Sequence, residues 1–173
     1  MEHHRILVTY ATRAGSTQEV AEFIGKVLRE AGEDVDVCPV ESVKKLDGYQ
    51  AVVLGSGIRN GNVFPEALRF ARRFRADLAQ KAAAYFAVCM TMREDTPENR
   101  AKVANYLVTL EDIRPSFSKA IFAGKVEFAR LEPLWRFLFS HSKDPALKEG
   151  DWRDWDAIHT WAKSLVPQLA ETV

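Results

Sequence analysis

Apolar residues gather along this chain in two patterns that alternate. Ile6-Leu7-Val8, Ala51-Val52-Val53-Leu54 and Ala82 to Met90 are short, nearly continuous runs, the pattern of strands buried on both faces. Asp34 to Cys38 alternates apolar and polar as a short strand, and Ala120 to Gly124 reads as the fifth. Between these runs the period changes to that of a helix. Gln18 to Gly32 places Val20, Phe23, Ile24, Val27 and Leu28 on one face and stops at Gly32. Pro65 opens a second helix to about Ala79, with Ala67, Leu68, Ala71, Phe74 and Leu78 inward. Pro97 to Leu110 and Asp154 to Leu169 supply two more. Regular alternation of strand and helix predicts an α/β fold: a doubly wound parallel sheet with helices on both faces and right-handed crossovers.

Two stretches break the rhythm. Gly55-Ser-Gly-Ile-Arg-Asn-Gly-Asn62 ends the third strand abruptly and reads as a loop. Lys125 to Gly150 is longer than a typical connection, which makes it a candidate for function within a single domain spanning residues 1–173. Inside it Leu131, Leu134, Trp135 and Leu138 stand at i, i+3, i+4 and i+7, with Arg130, Arg136, His141 and Lys143 nearby. That amphipathic stripe has four readings: a lid, a shallow contact with a membrane surface, a partner's docking face, or a short helix packed on its own core.

Composition narrows the classes. Lys and Arg number 24, Asp and Glu 24, so the formal charge is zero and there is no bulk electrostatic case for nucleic acid. No apolar run approaches the roughly 20 residues needed to span a bilayer, so a cytoplasmic protein is expected, at most peripheral to the inner face of the membrane. Cys38 and Cys89 lie far apart, match no metal spacing and fall in strands, which predicts buried free thiols. No histidine has a partner at ligand spacing, and no metal site is expected. Trp152, Trp155 and Trp161 are expected to pack the last helix.

The chemistry concentrates in Arg5 to Thr17, where the first strand runs through a short hydroxyl-rich loop into the first helix. The first turn of a helix leaves backbone N–H groups without intrahelical partners, and an anion satisfies them. Thr12, Ser16 and Thr17 add hydroxyls, and Gly15 permits close approach or a positive φ. The loop has no G-x-x-x-x-G-K-[ST] and no G-x-G-x-x-G, so a single terminal phosphate fits better than a nucleoside triphosphate or a dinucleotide. Receiver domains need an acidic pair after the first strand and an Asp closing the third, whereas this chain has Tyr10-Ala11-Thr12 and Gly55-Ser56. A low-molecular-weight phosphatase needs C-x5-R in the first loop, and no Cys is there.

Tyr10-x-Thr12-x-x-Gly15-x-Thr17-x-x-x-Ala21-x-x-Ile24 resembles the flavodoxin signature, with Thr9 departing where an apolar residue is preferred. The resemblance implies a five-stranded sheet of order 2-1-3-4-5 with FMN at the switch point of the first and third strands. It also implies that Thr12, Arg13, Ala14, Gly15, Ser16 and Thr17 hold the phosphate, Ala14 replacing a hydroxyl found in many flavodoxins. Within that superfamily, Gly55 to Gly61, Met92 to Pro97, Trp135 to Phe139 and Asp151 to Trp155 are similar to segments of the menaquinone-dependent protoporphyrinogen IX dehydrogenases. This branch implies an FMN oxidoreductase acting on a porphyrin, with a quinone as acceptor. The alternatives are a flavodoxin-like electron carrier and a flavin-free binding module.

On this resemblance the backbone around Ser56, Gly57, Ile58, Arg59 and Asn60, and around Cys89, Met90 and Thr91, meets the polar edge of the flavin ring, with Ile58 and Met90 over its faces. Arg93, Arg130, Leu134, Trp135, Arg136 and Leu138 are candidates for docking a substrate or a membrane. Arg13, Arg59, Arg93, Arg130 and Arg136 all follow strand C-terminal ends. One cation about 8 Å from the ring, at an effective dielectric of about 20, favours an anionic reduced flavin by about 2 kcal/mol, or about 90 mV for one electron. A comparatively high potential and an anionic or quinone-like partner are therefore expected.

Overall fold

The computed structural model describes residues 5–144 and 148–170. Strand β1 (Arg5–Ala11) is buried in all but its first residue and leads through Gly15 into α1 (Ser16–Glu30). β2 (Asp34–Pro39) returns beside it, and β3 (Ala51–Arg59) follows on its other side. After β3 come the two-residue β4 (Asn62–Val63), then α2 (Pro65–Arg73) and α3 (Arg75–Leu78). β5 (Ala82–Cys89), α4 (Pro97–Val103), α5 (Val108–Ile113) and β6 (Ser118–Ala123) continue the alternation. The segment beyond β6 holds β7 (Lys125–Val126), α6 (Pro133–Ser140) and β8 (Gly150–Asp151), and α7 (Trp155–Ala170) ends the described chain.

The sheet path is β2-β1-β3-β5-β6, with every neighbouring pair on that path parallel. The five principal strands thus lie in the expected spatial order. The sixth strand, β4, pairs antiparallel with β3 and changes the strand numbering. Where a loop was expected, β3 continues to Arg59 and turns back at Asn60-Gly61, whose φ angles are 51° and 75°. Asn-Gly supplies the two positive φ values that a tight hairpin of this hand requires. The Ser56 hydroxyl stabilises the hairpin, donating to the Gly57 carbonyl at 2.7 Å and accepting from the Phe64 N–H at 2.9 Å.

Successive strand residues point to opposite faces, so each continuous apolar run feeds two cores. Ile6, Val8, Val53 and Phe86 face α1 and α7, meeting Val20, Ile24, Leu28, Ile158 and Leu165. Leu7, Val52, Leu54 and Tyr85 face the other side, meeting Phe70, Leu78, Leu107 and Leu110. Two predicted helices are each broken in two. Phe74, at φ −101° and ψ 19°, separates α2 from α3, and residues 104–107 separate α4 from α5. The inward faces continue across both breaks, which is why periodicity alone reads each as one helix.

Thr9, the departure from the signature, is fully buried, and its hydroxyl has no hydrogen-bond partner among the described residues. A desolvated, unpaired hydroxyl costs stability that an isosteric methyl does not. Thr9→Val is therefore expected to stabilise the fold by about 1 kcal/mol, read as a higher urea midpoint at constant slope. A lower midpoint would show that the hydroxyl has a role.

Candidate functional site

Gly15 caps α1 with φ 87°, and no side chain closes that cap. The Gly15 N–H donates to the Thr12 hydroxyl oxygen at 3.0 Å, which folds the loop over the helix start. Thr17 is buried beneath it. The Ser16 hydroxyl accepts from the Lys125 N–H at 3.0 Å, so the loop is tied to the strand-like segment that follows β6. The result is a concave surface rich in N–H groups and hydroxyls at the C-terminal edge of β1, beside β3, where ligands bind in open parallel sheets.

A cavity of about 460 Å³ extends from this surface. Thr12, Arg13, Ala14, Ser16 and Thr17 form one wall, and Gly57, Ile58, Arg59, Asn60 and Phe64 a second. Val88, Cys89, Met90 and Gly124 line the strand ends. Val126, Arg130, Leu131, Trp135 and Phe139 close the remaining side, from the segment between β6 and β8. Such a volume is that of a small-molecule or cofactor site, and the mixture of apolar walls with a few polar groups has the same character.

Most of the sequence-predicted site residues are thus brought together. Gly15 underlies the cavity as the α1 cap. Ser56 does not line it: its side chain is fully buried and committed to the β3–β4 hairpin. Thr91 lies 3.3 Å from the Tyr106 hydroxyl, also outside the lining. Of the docking candidates, Arg130 and Trp135 reach the cavity, whereas Arg93, Leu134, Arg136 and Leu138 do not. Arg136 donates to the carbonyls of Phe128, Ala129 and Leu131, which fastens the turn that precedes α6. Arg93 stacks over Trp152, 5.5 Å from the ring centre. Trp152 itself belongs to the β8 region rather than to α7, while Trp155 packs edge-on to Phe23 and Trp161 against Phe86 and Phe122.

Leu134, Trp135 and Leu138 of the amphipathic stripe lie on α6, whereas Leu131 precedes the helix in extended backbone, and no residue of α6 is buried. Leu134 and Phe137 are 64% and 62% exposed, with Leu138 and Trp135 beside them. Packing on its own core is therefore not the arrangement of this stripe. Trp135 lies under the Arg59 guanidinium, 5.3 Å from the ring centre, so α6 reaches across the cavity mouth to the end of β3. No helix among the described residues is long and apolar enough to cross a membrane.

Charges around the mouth are mostly paired. Arg13 bonds Glu66 at 2.9 Å, and Arg130 bonds Glu19 at 2.9 Å and Glu127 at 2.8 Å. Arg153, whose side chain is 4% exposed, joins Glu19 to Asp151. The Arg153 hydrogen bond holds the Glu19 carboxyl below its usual range, so Glu19 is a full anion near the loop. The expected excess of positive potential is reduced accordingly, because carboxylates remote in sequence fold in beside the arginines. Cys89 lines the cavity, but burial pushes its thiol up, which favours a neutral packing group over a nucleophile.

Phe64, Val88, Gly124 and Val126 line the cavity although no motif in the sequence marks them. The C-terminal ends of β5 and β6 were available signals for Val88 and Gly124. Phe64 has no local signal, since only the β3–β4 hairpin brings it to the wall.

Comparison with known proteins bears on the fold and the family. The chain is 24% identical over 172 residues to the protoporphyrinogen IX dehydrogenase [quinone] of Escherichia coli strain K12, a match covering 93% of this chain and 94% of that protein. A short-chain flavodoxin associated with a bacterial microcompartment superposes with TM-score 0.63 at 16% identity, over 96% of this chain and 99% of that one. The rubredoxin oxygen:oxidoreductase of Desulfovibrio gigas superposes with TM-score 0.59 at 14% identity over 97% of this chain, which spans 36% of that larger protein. Residues 7–151 match the flavodoxin domain, and the chain therefore belongs to the flavodoxin domain family.

Proposed function

We propose that the cavity binds FMN and that the protein is an FMN-dependent oxidoreductase, taking electrons from a porphyrinogen and passing them to a quinone. The observation that carries this reading is the continuity of one cavity, from a hydroxyl and N–H cradle at α1 to the apolar side chains of Leu131, Trp135 and Phe139 around α6. The cradle suits a single phosphate, because no side-chain hydrogen bond caps the start of α1. Bound flavin supplies the redox chemistry. This chain's residues orient and enclose it. Thr12, Ser16 and Thr17 hold the phosphate end, Ile58, Met90 and Trp135 bound the ring apolarly, and the backbone of Gly57 to Asn60 meets its polar edge. The exposed row Leu134, Phe137 and Leu138, beside the cavity mouth, suits a bulky apolar partner such as a porphyrin or quinone.

Relatives bearing the dehydrogenase name over nearly the whole chain support the enzyme reading, and the flavodoxin-like fold also accommodates a carrier between redox proteins. Turnover separates them. Purified protein is expected to show an FMN spectrum, to bleach anaerobically with protoporphyrinogen IX and to recover its colour with menaquinone. Reduction by protein partners without quinone turnover would establish the carrier, and protein without FMN affinity would refute both.

A further inference from the structure

The phosphate loop has an arginine of its own, but its guanidinium is held against the start of α2. Arg13 bonds Glu66 at 2.9 Å and stacks over Phe64, 5.3 Å from the ring centre. A phosphate monoester carries close to two negative charges near neutral pH, and Glu19 places a third in the first turn of α1. N–H groups and hydroxyls alone leave that charge without a cation.

A cation is present above the loop, delivered by the segment between β6 and β8. Arg130 Nη1 lies 2.8 Å from the position that a Cβ on Gly15 would occupy, so the guanidinium roofs the residue that opens the helix. It is held there by Glu19 on α1 and by Glu127, and its side chain is 50% exposed. Arg130 also lines the cavity alongside Thr12, Ser16 and Thr17. Nη1, the atom above Gly15, bonds Glu19, and Nε faces Glu127, so the remaining hydrogens along the Nη1–Nη2 edge are those that an oxyanion in the cradle would take.

We propose that Arg130 is a phosphate ligand for the cofactor, with Glu19 and Glu127 holding its guanidinium above the loop. The phosphate then fastens the α6 segment over the bound flavin, because the same side chain belongs to that segment. This inference rests on the FMN reading above.

The test compares FMN with riboflavin, which lacks the phosphate, by flavin fluorescence quenching of the apoprotein. In Arg130→Met the Kd for FMN is expected to rise about tenfold or more, the scale of one charge-assisted hydrogen-bonded contact, while that for riboflavin changes by less than about twofold. Arg130→Lys keeps the charge but loses the fork, and should recover part of the preference for FMN. An unchanged ratio of the two Kd values in Arg130→Met would overturn the inference, as would equal weakening of both ligands, which marks a packing role only. Wild-type protein that binds neither flavin would overturn the cofactor reading itself, and this inference with it.

Discussion

Gly55→Ala is expected to destabilise the fold by about 3 kcal/mol, at the upper end of the cost of overpacking a core. Gly55 sits in the middle of β3, opposite Phe86 of β5 in the parallel register. A Cβ at position 55 would penetrate three atoms of the Phe86 ring. That ring has nowhere to go: Phe86 is fully buried, with Trp161 edge-on at 6.1 Å and Phe122 at 6.5 Å. Relief must come from separating the two central strands or from displacing α7. The partner change provides the check. Phe86→Leu removes the outer ring atoms that the new methyl meets, so the double variant should cost at least about 1 kcal/mol less than the sum of the single changes. Urea denaturation of the four proteins measures this coupling. Additive costs, or a Gly55→Ala loss below about 0.5 kcal/mol, would show that the sheet has slack at this point.

Gly15→Val is expected to weaken FMN binding at least about a hundredfold, with a loss of fold stability of only about 1–2 kcal/mol. At φ 87° a β-branched residue is strained, and its Cβ would also meet Arg130. Relaxing the strain means starting α1 later or rotating the loop. Either response turns the N–H groups of Ser16 and Thr17 away from a shared anion. The fold survives because α1 buries Val20, Ala21, Ile24, Val27 and Leu28 beyond the cap. Fluorescence titration and a thermal melt on the same sample separate the two effects. Unchanged FMN affinity would remove the phosphate from this loop.

These two glycines differ in how far the sequence announced them. Gly15 was legible because its role is local: hydroxyls on both sides, a strand before and a helix after, and the spacing from Thr12 to Thr17. Gly55 reads in sequence as the start of a loop, yet it lies inside a strand, and its necessity comes from a ring on the neighbouring strand. Asn60-Gly61 was visible as a turn but not as the corner of a hairpin, because β4 has only two residues and no periodicity of its own. Breaks such as Phe74 escaped detection because the inward face carries on across them.

The amphipathic segment shows the same division. Its spacing revealed a helix with an apolar stripe, and α6 forms where that stripe lies. Spacing could not say whether the stripe would be covered. Leu134, Phe137 and Leu138 are left in solvent because Arg136 holds the preceding turn by its own carbonyls and Trp135 reaches sideways to Arg59.

The sequence by itself determined the alternation of strands and helices and the hydroxyl-rich loop that joins β1 to α1. Each of these follows from burial period and backbone preference within a few consecutive residues. Only the tertiary structure decided which arginines keep their charge to themselves. Arg13 meets Glu66, Arg130 meets Glu19, and Arg153 joins Glu19 to Asp151, pairings that the winding of the chain creates between residues remote in sequence. Coulombic partners are chosen by distance in space, and no local pattern encodes that distance.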